Sequence, residues 1–358
     1  MKIIHVVGTR PNFMKIAPLM REMNRYPDHF QQLLVHTGQH YDVNMSHVFF
    51  EELNLPKPSR FLDVGSGSHA VQTAKIMEAF EPVLSTNNPD WVVVVGDVNS
   101  TLACALVATK MGIKVAHVEA GLRSRDRTMP EEINRLLTDQ ISDILFTPSE
   151  DANMNLLREG IPSEKVYLVG NVMIDTLIEM LPSIKRRTIV ADMSLRPQKY
   201  IVVTLHRPSN VDNTMTLRKI LSALVKSSYK YPVIFPVHPR TRKKILELES
   251  EIFEKANVRF LDPLGYLDFL SLVRSSGVVV TDSGGLQEET TFLKVPCLTV
   301  RLNTERPITV QVGTNRLVSS ENLFQEITQT MIMPPNGENP EMWDGKASER
   351  IVKVLRNL

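Results

Sequence analysis

The chain has 358 residues, which is long for one ordinary hydrophobic core and suits two domains. It is 42% hydrophobic and 23% charged, with a formal net charge of +1, so the overall charge indicates neither a nucleic-acid nor a membrane-surface partner. Its two cysteines, each inside an apolar stretch, exclude a disulfide framework and indicate a reducing, cytoplasmic setting. No apolar run approaches the roughly 18 residues of a membrane span.

Short runs rich in Val, Ile and Leu recur along the first half of the chain. Each is apolar without strict alternation, which is typical of a strand covered on both faces. The runs are KIIHVVG from Lys2, QLLVHTG from Gln32, WVVVVGD from Trp91, KVAHVEAG from Lys114, DILFTPS from Asp143 and VYLVGN from Val166. Stretches with helical spacing separate them, and this order predicts a parallel α/β sheet.

A second series of such runs follows a polar stretch, residues 181–198, which is predicted to be a linker. The second runs are YIVVTLH from Tyr200, PVIFPVH from Pro232, VRFLDPL from Val258, GVVVTDSGG from Gly277 and PCLTVR from Pro296. The pattern therefore predicts two doubly wound α/β domains, residues 1–175 and 176–340. We expect a cleft between them, with ligands bound at the carboxyl ends of the strands.

The first predicted strand and the third are each followed by polar residues. Arg10 and Lys15 bracket the start of a helix, where two cations and a helix N-terminus form an anion site. A solvated first turn is the alternative. Asp97 lies where the chain turns into a helix, and taken alone it is best interpreted as the cap of that helix.

The segment 117–135 combines acids and arginines directly after a hydrophobic strand. An exposed helix with Glu–Arg pairs explains Glu131, Glu132 and Arg135, because residues three or four apart share a helix face. It does not explain Glu119, which ends an apolar strand where burial is expected. A buried carboxylate without a partner is costly, so Glu119 indicates an acid/base site.

The second domain contains a buried strand that runs into Asp282-Ser283-Gly284-Gly285 and then into a helix. Two glycines allow a close approach by a ligand, and the helix dipole favours a phosphate there. Glu289 follows one helical turn later, where it can accept hydrogen bonds from ribose hydroxyls. A tight turn without a ligand is the alternative. His206 and His238 each end a predicted strand of this domain, which suggests a site.

Two kinds of cofactor site are not indicated. GSGSHA, starting at Gly65, lacks the third glycine of a dinucleotide loop and follows a poor strand, and no Walker lysine follows a glycine-rich loop. No His, Cys and Asp residues have metal-ligand spacing. We therefore expect neither a tightly bound nucleotide cofactor nor a metal.

Taken together, the motifs resemble those of the non-hydrolysing UDP-N-acetylglucosamine 2-epimerases. The matching segments are GTRPNFMK, GDVNST, HVEAGLRS, MPEEINR, TLHR, TDSGGLQEE and NTERP, in the family's order from Gly8 to Pro307. The resemblance implies a GT-B-like fold of two Rossmann-like domains with the active site in the cleft between them. It also implies that residues 341–358 form a helix that packs back on the first domain, and a homodimer is common in the family.

The resemblance implies a reaction as well. UDP-N-acetylglucosamine (UDP-GlcNAc) and UDP-N-acetylmannosamine (UDP-ManNAc), a precursor of surface polysaccharide, interconvert by elimination of UDP to 2-acetamidoglucal and re-addition, without a redox cofactor. Proton transfer at both faces of C2 requires more than one carboxylate. The acid/base candidates carried over from the family are Asp97, Glu119 and Glu131, with His206 near the diphosphate. The predicted substrate-binding residues are Arg10, Lys15, Arg135, His238, Phe269, Ser283, Gly284, Gly285, Glu289 and Arg306.

Three departures from the family pattern bear on substrate and regulation. The loop between GLR and PEE is two residues shorter than in many bacterial members, and HRPSNVD replaces an Arg-Arg-Glu pattern. In TGQHYDVNMS only Gln39 and His40 match, which argues against the family's usual allosteric UDP-GlcNAc site. The short loop also resembles branches that act on 2,3-diacetamido sugars or their uronic acids, whereas TERP favours UDP-GlcNAc. A GT-B glycosyltransferase is the alternative from another class.

Overall fold

The computed structural model describes residues 1–38, 55–248 and 256–358 of the chain, apart from the side chains of Arg10 and Arg240. Gln39 and His40 lie outside the described residues.

The chain divides into two compact units. Unit 1 comprises Met1–Ile178 and Glu341–Leu358, and unit 2 comprises Glu179–Pro340. The stretch 181–198, predicted to be a linker, instead contains the end of the helix Val172–Lys185 and the short helix Ile189–Asp192. The chain therefore passes from one unit to the other within a helix.

Within the described residues, unit 1 contains a seven-stranded parallel sheet in the order β3-β2-β1-β4-β5-β6-β7. Its strands are β1 Lys2–Val7, β2 Gln31–His36, β3 Arg60–Phe61, β4 Trp91–Val95, β5 Lys114–Val118, β6 Ile144–Thr147 and β7 Val166–Leu168. Its main helices are Arg10–Met23, His69–Asn87, Asn99–Lys110, Pro130–Ile141, Glu150–Arg158, Val172–Lys185 and Ala347–Arg356.

The described part of unit 2 contains a six-stranded parallel sheet in the order β10-β9-β8-β11-β12-β13. Its strands are β8 Ile201–Thr204, β9 Val233–Pro236, β10 Val258–Leu261, β11 Val278–Thr281, β12 Cys297–Val300 and β13 Asn315–Val318. Its helices after Ile189–Asp192 are Pro208–Val211, Thr214–Ser228, Pro239–Leu246, Tyr266–Ser275, Gly284–Leu293, Ile308–Gln311 and Leu323–Ile332.

The central strands form because both of their faces are buried. Every residue of Trp91–Val95 and of Val278–Thr281 is buried, with helices packed on the two faces of each sheet. The non-alternating apolar runs of the sequence are the signature of this environment. The predicted fold class, two doubly wound Rossmann-like units, is confirmed.

The strand order determines where each unit can hold a ligand. In unit 1 the order reverses direction between β1 and β4, and in unit 2 it reverses between β8 and β11. The loops that leave adjacent strands at such a point diverge to opposite faces of the sheet and open a crevice at the carboxyl ends. Ligand-binding residues are therefore expected directly after these four strands.

The C-terminal segment belongs to unit 1. The helix Ala347–Arg356 packs against Arg10–Met23, and the guanidinium of Arg356 lies 4.0 Å from the ring centre of Tyr26. The carboxylate of Asp175 accepts the N–H groups of Ala347 and Ser348 at the start of this helix. No helix among the described residues is both long and apolar enough to cross a membrane.

Candidate functional site

In unit 1 the ends of β1 and β4 are joined through the side chain of Asn12. Its Oδ1 accepts the N–H groups of Gly8 and Thr9 at 3.1 and 3.0 Å, and its Nδ2 donates to the carbonyl of Val95 at 3.1 Å. A Cβ on Gly8 would lie 2.2 Å from Ser100 Oγ, so only glycine fits there. Asn12 therefore gives the start of helix Arg10–Met23 a fixed position beside β4.

Lys15, on the next turn of that helix, forms an ion pair with Glu119, and both residues are only 5% exposed. The burial predicted for Glu119 is observed. Lys15 was predicted to bind an anion of the substrate, and the anion that it contacts here is the protein's own carboxylate. The side chain of Arg10, the other predicted cation, lies outside the described residues.

Glu119 also has an unusual backbone conformation, with φ at +72°. Its N–H and that of Ala120 both donate to the carbonyl of Phe146 at 3.0 Å, which holds this turn at the end of β5. Left-handed backbone is unfavourable for a residue with a Cβ and is concentrated at functional sites. The strain, the burial and the ion pair together support a functional role for Glu119.

Asp97 does not cap a helix, contrary to the interpretation from the sequence. The helix begins at Asn99, its N-cap residue is Val98, and no side chain caps it. Instead the Asp97 carboxylate forms an ion pair with Arg135. Gly96 forms the turn before Asp97 with φ at +67°, a backbone conformation that residues with a Cβ rarely adopt.

The prediction of an exposed helix face for Glu132 and Arg135 was wrong, since each residue is only 2% exposed. Arg135 donates to Glu132 from Nη2 at 2.6 Å and from Nε at 3.1 Å, in addition to its pair with Asp97. Glu131 is partly exposed in the first turn of the same helix and forms no ion pair with the described residues. Arg135 therefore pairs with Glu132 rather than with Glu131.

A buried network beneath these residues escaped the sequence analysis. His117 Nδ1 lies 2.7 Å from Asp139 Oδ1, and its Nε2 lies 2.8 Å from the carbonyl of Gly96. Asp139 also pairs with Arg123 at 2.7 Å. Burial would raise the pKa of Asp139, but the hydrogen bond and charge of His117 and the charge of Arg123 lower it below its usual range. The network fixes Gly96, the residue before Asp97.

In unit 2 the corresponding edge is organised by Asp282, which is fully buried after β11. It accepts the N–H groups of His206 and Arg207 at 3.1 and 3.0 Å, and Asn210 Nδ2 at 3.1 Å. His206 Nδ1 lies 2.9 Å from Asp282 Oδ1, and the His206 side chain is 50% exposed. A ligand would therefore meet the other ring nitrogen, Nε2.

Burial would raise the pKa of Asp282, but the hydrogen bond and charge of His206, with donors from Arg207 and Asn210, lower it below its usual range. Asp282 is thus a buried carboxylate that orients a half-exposed histidine. The sequence analysis named it only as part of the turn, although an Asp before two glycines at a strand end was a usable signal.

The predicted strand-to-helix turn is observed, with Ser283 as the N-cap residue and Gly284 and Gly285 as the first helical residues. A Cβ on Gly284 would lie 2.6 Å from both Arg306 Nη1 and Glu305 Oε1. At Gly285 no atom of the described residues, apart from its own stretch of helix, lies within 4 Å of such a Cβ. Gly284 is therefore packed by the protein itself, whereas the space at Gly285 is open to a ligand.

Arg306, predicted to bind substrate, is held by two of the protein's own acids. It is 6% exposed, with Nε 2.8 Å from Glu288 and Nη1 2.5 Å from Glu305. Glu305 also pairs with Arg301 at 2.7 Å and lies 3.8 Å from Arg207. Burial opposes ionisation of Glu305, but these arginines lower its pKa far below the usual range. Neither glutamate was found from the sequence.

The remaining predicted residues of unit 2 lie around the same strand ends. Glu289 is buried in the helix that begins at Gly284, and it accepts the hydroxyl of Tyr266 at 2.9 Å. Phe269 lies one turn beyond Tyr266 and is half-buried. His238 is exposed after β9, the neighbour of β8.

The structure thus brings the predicted residues into two groups. One, which we call the acid cluster, consists of Lys15, Asp97, Glu119 and Arg135, with Glu131 on the helix of Arg135. The other surrounds the start of helix Gly284–Leu293 and includes His206 and Arg306. Among the described residues, no three His, Cys, Asp or Glu side chains are arranged to hold a metal ion.

Comparison with known proteins gives one consistent family. A family model for UDP-N-acetylglucosamine 2-epimerase matches residues 21–356. A UDP-N-acetylglucosamine 2-epimerase homolog of Methanococcus maripaludis is 46% identical over 100% of both chains. The UDP-2,3-diacetamido-2,3-dideoxy-D-glucuronate 2-epimerase of Pseudomonas aeruginosa is 40% identical, again over 100% of both.

A solved structure gives the same result for the fold. The Methanocaldococcus jannaschii UDP-GlcNAc 2-epimerase, crystallised with UDP-GlcNAc and UDP, matches with a TM-score of 0.91 and 44% identity, covering 100% of both chains.

Proposed function

Since the chain belongs to the UDP-N-acetylglucosamine 2-epimerase family, we propose that it inverts C2 of UDP-GlcNAc to give UDP-ManNAc, reversibly. The family expected from the sequence motifs is confirmed. The observation that carries the proposal is the acid cluster, in which the carboxylates of Asp97 and Glu119 are each paired with a buried cation at adjacent strand ends. Such a cluster suits proton transfer at a carbon that is not acidic.

The proposed reaction is an elimination followed by an addition. One carboxylate takes the proton from C2 as the C1–O bond breaks, and UDP leaves with the bonding electrons. The carbon–carbon double bond of 2-acetamidoglucal forms. UDP then adds back at C1 while a proton is delivered to the opposite face of C2. Atoms and electrons balance without an oxidant or reductant.

Proton transfer is assigned to unit 1. Asp97, Glu119 and Glu131 supply acids and bases for the two faces of C2. Asp97 and Glu119 each form an ion pair with a buried cation, while Glu131 has no cation partner among the described residues. The set therefore contains carboxylates in unlike environments, which is what opposite protonation roles require.

Stabilisation of the leaving diphosphate is assigned to unit 2. The helix that begins at Gly284 directs its first N–H groups and its positive dipole end at an anion, and the gap at Gly285 leaves room for one. His206, whose Nδ1 faces Asp282, can donate from Nε2 to a phosphate oxygen when both ring nitrogens carry a proton. Glu289, with Tyr266, is assigned to the ribose, and Phe269 and His238 to the border of the nucleotide.

A second substrate is favoured by one comparison. The relative from Pseudomonas aeruginosa that is 40% identical is named for a 2,3-diacetamido uronate, and the short loop after GLR resembles that branch. The chemistry at C2 is the same, because the substituents at C3 and C6 do not take part in the elimination. The two candidates therefore differ in recognition and not in mechanism.

The test is incorporation of solvent deuterium at C2, measured by mass spectrometry with each UDP sugar offered separately. Exchange with UDP-GlcNAc, accompanied by UDP-ManNAc, supports the first assignment. Exchange only with the diacetamido uronate supports the second. If neither exchanges and sugar transfer occurs once an acceptor is added, the glycosyltransferase alternative is correct and the epimerase proposal is wrong.

A further inference from the structure

Arg135 was assigned to substrate binding from the sequence, but its surroundings leave little of it for a substrate. Its side chain is 3% exposed, and its guanidinium is divided between Asp97 and Glu132. Nη1 contacts Asp97, whereas Nη2 and Nε contact Glu132 at 2.6 and 3.1 Å. The fixed fork of an arginine suits this double contact, which a lysine could not reproduce fully.

Glu132 anchors the arginine from the other side. Its carboxylate accepts the N–H of Ser124 at 2.9 Å, the hydroxyl of Ser124 at 3.0 Å and the N–H of Arg125 at 2.8 Å. Burial would raise the pKa of Glu132, but Arg135 and the donors of Ser124 and Arg125 lower it below its usual range. Glu132 is therefore a fixed anion that holds Arg135 in place.

Asp97 is the most exposed of the three charged residues Glu132, Arg135 and Asp97. Its side chain is 24% exposed, against 3% for that of Arg135. Asn134, on the same helix as Arg135, donates to the main-chain carbonyl of Asp97 at 2.9 Å. The helix Pro130–Ile141 thus contacts Asp97 twice, through Asn134 at its carbonyl and through Arg135 at its carboxylate. Part of the carboxylate stays accessible.

The charges also argue against phosphate binding by Arg135. A diphosphate brought to this guanidinium would meet the carboxylates of Asp97 and Glu132 at the same group, and like charges at such distances repel. The two carboxylates already outweigh the single positive charge of Arg135. For Asp97, in contrast, the contact with Nη1 of Arg135 fixes the direction of its carboxylate.

We propose that Arg135, anchored by Glu132, is a positioning residue that holds Asp97 as an aimed carboxylate, and that it is not a substrate ligand. This inference rests on the proposed epimerase function. It makes the pair Glu132–Arg135 part of the catalytic arrangement without contact to the sugar or to the nucleotide. Its effect on the reaction passes through Asp97 alone.

A double-mutant cycle tests this dependence. We expect Arg135→Gln to lower kcat for C2 exchange about 100-fold, at the lower end for a positioned acid or base, with KM and the Kd for UDP changed less than about threefold. In an Asp97→Asn background the same change should have almost no further effect, because the group that it positions is already disabled. Arg135→Lys should recover part of kcat by restoring the cation.

The controls separate positioning from structure and from the proposed function. Glu132→Gln should also lower kcat, but by less than Arg135→Gln does. This second variant tests the same inference if Arg135→Gln fails to fold. Arg158→Gln, at an exposed arginine, should leave kcat unchanged. Additive losses in the cycle, or a rise in KM and in the Kd for UDP with kcat unchanged, would overturn the inference. Absence of exchange in the unaltered protein would overturn the proposed function instead.

Discussion

The two units have sheets of corresponding strand order but opposite chemistry at the same edge. In unit 1 the chain after β4 and β5 presents the carboxylates of Asp97 and Glu119, each paired with a cation. In unit 2 the chain after β8 and β11 presents His206 and a helix start with no acid in its first turn. The shared topology determines where a crevice forms, and the side chains alone determine what it can bind.

The units also use buried charge differently. The acid cluster keeps Asp97 partly exposed while its cation is buried, so the anion is the accessible member of the pair. Around the start of helix Gly284–Leu293 the acids Asp282 and Glu305 are buried, and they hold His206 and three arginines. This contrast is the reason for assigning the base to unit 1 and the hydrogen-bond donors for an anion to unit 2.

The largest expected effect comes from Glu119→Gln in unit 1. Removing a proton-transfer group costs about 10²–10⁴ in rate, so we expect C2 exchange to fall about 1000-fold. The Kd for UDP, whose binding we assign to unit 2, should stay nearly constant. Exchange by mass spectrometry and calorimetric titration with UDP measure the two quantities. Glu81→Gln, at an exposed surface glutamate, is the matched control. Turnover that survives the change would remove Glu119 from the mechanism.

A pair of glycine variants tests the anion site of unit 2. At Gly285 a methyl group would meet no other part of the described chain outside its own helix. Gly285→Ala should therefore leave stability unchanged or slightly higher but weaken UDP binding about tenfold, or about 1.4 kcal/mol. At Gly284 a methyl group meets Arg306 and Glu305, so Gly284→Ala should cost about 1–3 kcal/mol of stability through overpacking. Unchanged UDP affinity in Gly285→Ala would show that no phosphate occupies the gap.

A third prediction concerns how the charge of the buried Asp282 contributes to stability at different pH values. The folded-state pKa of Asp282 is lowered, so its ionised form stabilises the protein above the unfolded pKa of about 4, and this contribution is lost as the pH falls through the lower folded value. Asp282→Asn should therefore lower the free energy of unfolding by about 1–3 kcal/mol at pH 7. The difference in stability between the variant and the unaltered protein should become smaller as the pH falls. Thermal unfolding between pH 7 and pH 3 measures it.

Asp28→Asn, at an exposed site, is the control for these unfolding measurements. Its stability should equal that of the unaltered protein at every pH. Asp139→Asn in unit 1 should behave as Asp282→Asn does, because the pKa of Asp139 is lowered too. A difference in stability that stays constant with pH would mean that the charge of Asp282 does not contribute to stability.

The smallest effect concerns a feature of unit 1 that unit 2 lacks, the helix contributed by the end of the chain. Arg356 stacks on Tyr26 at an exposed position, and such a contact contributes about 0.5–1 kcal/mol. Arg356→Ala should lower the thermal unfolding midpoint slightly and leave C2 exchange unchanged. Arg356→Lys should lower it less, since the cation remains. A change in exchange would show that this helix affects the active site.

Much of the fold follows from local sequence pattern. The continuous apolar runs predicted eleven of the strands, because strands buried on both faces need side chains of one kind. Arg60–Phe61 and Asn315–Val318 were missed, since the first has only two exposed residues and the second is polar at two of its four positions. Pairing with β2 and β12 makes them strands, and that pairing is not visible in either segment.

The sequence by itself determined the two parallel units, the polar residues at their strand ends and the family, because these depend on local periodicity and on motifs. Only the tertiary structure decided which charges meet. It moved Glu132 and Arg135 from a solvated face into the interior, turned Asp97 from a helix cap into the partner of Arg135, and surrounded Arg306 with Glu288 and Glu305. A charge is matched by groups that the fold brings near it in space, and separation along the chain does not predict those neighbours.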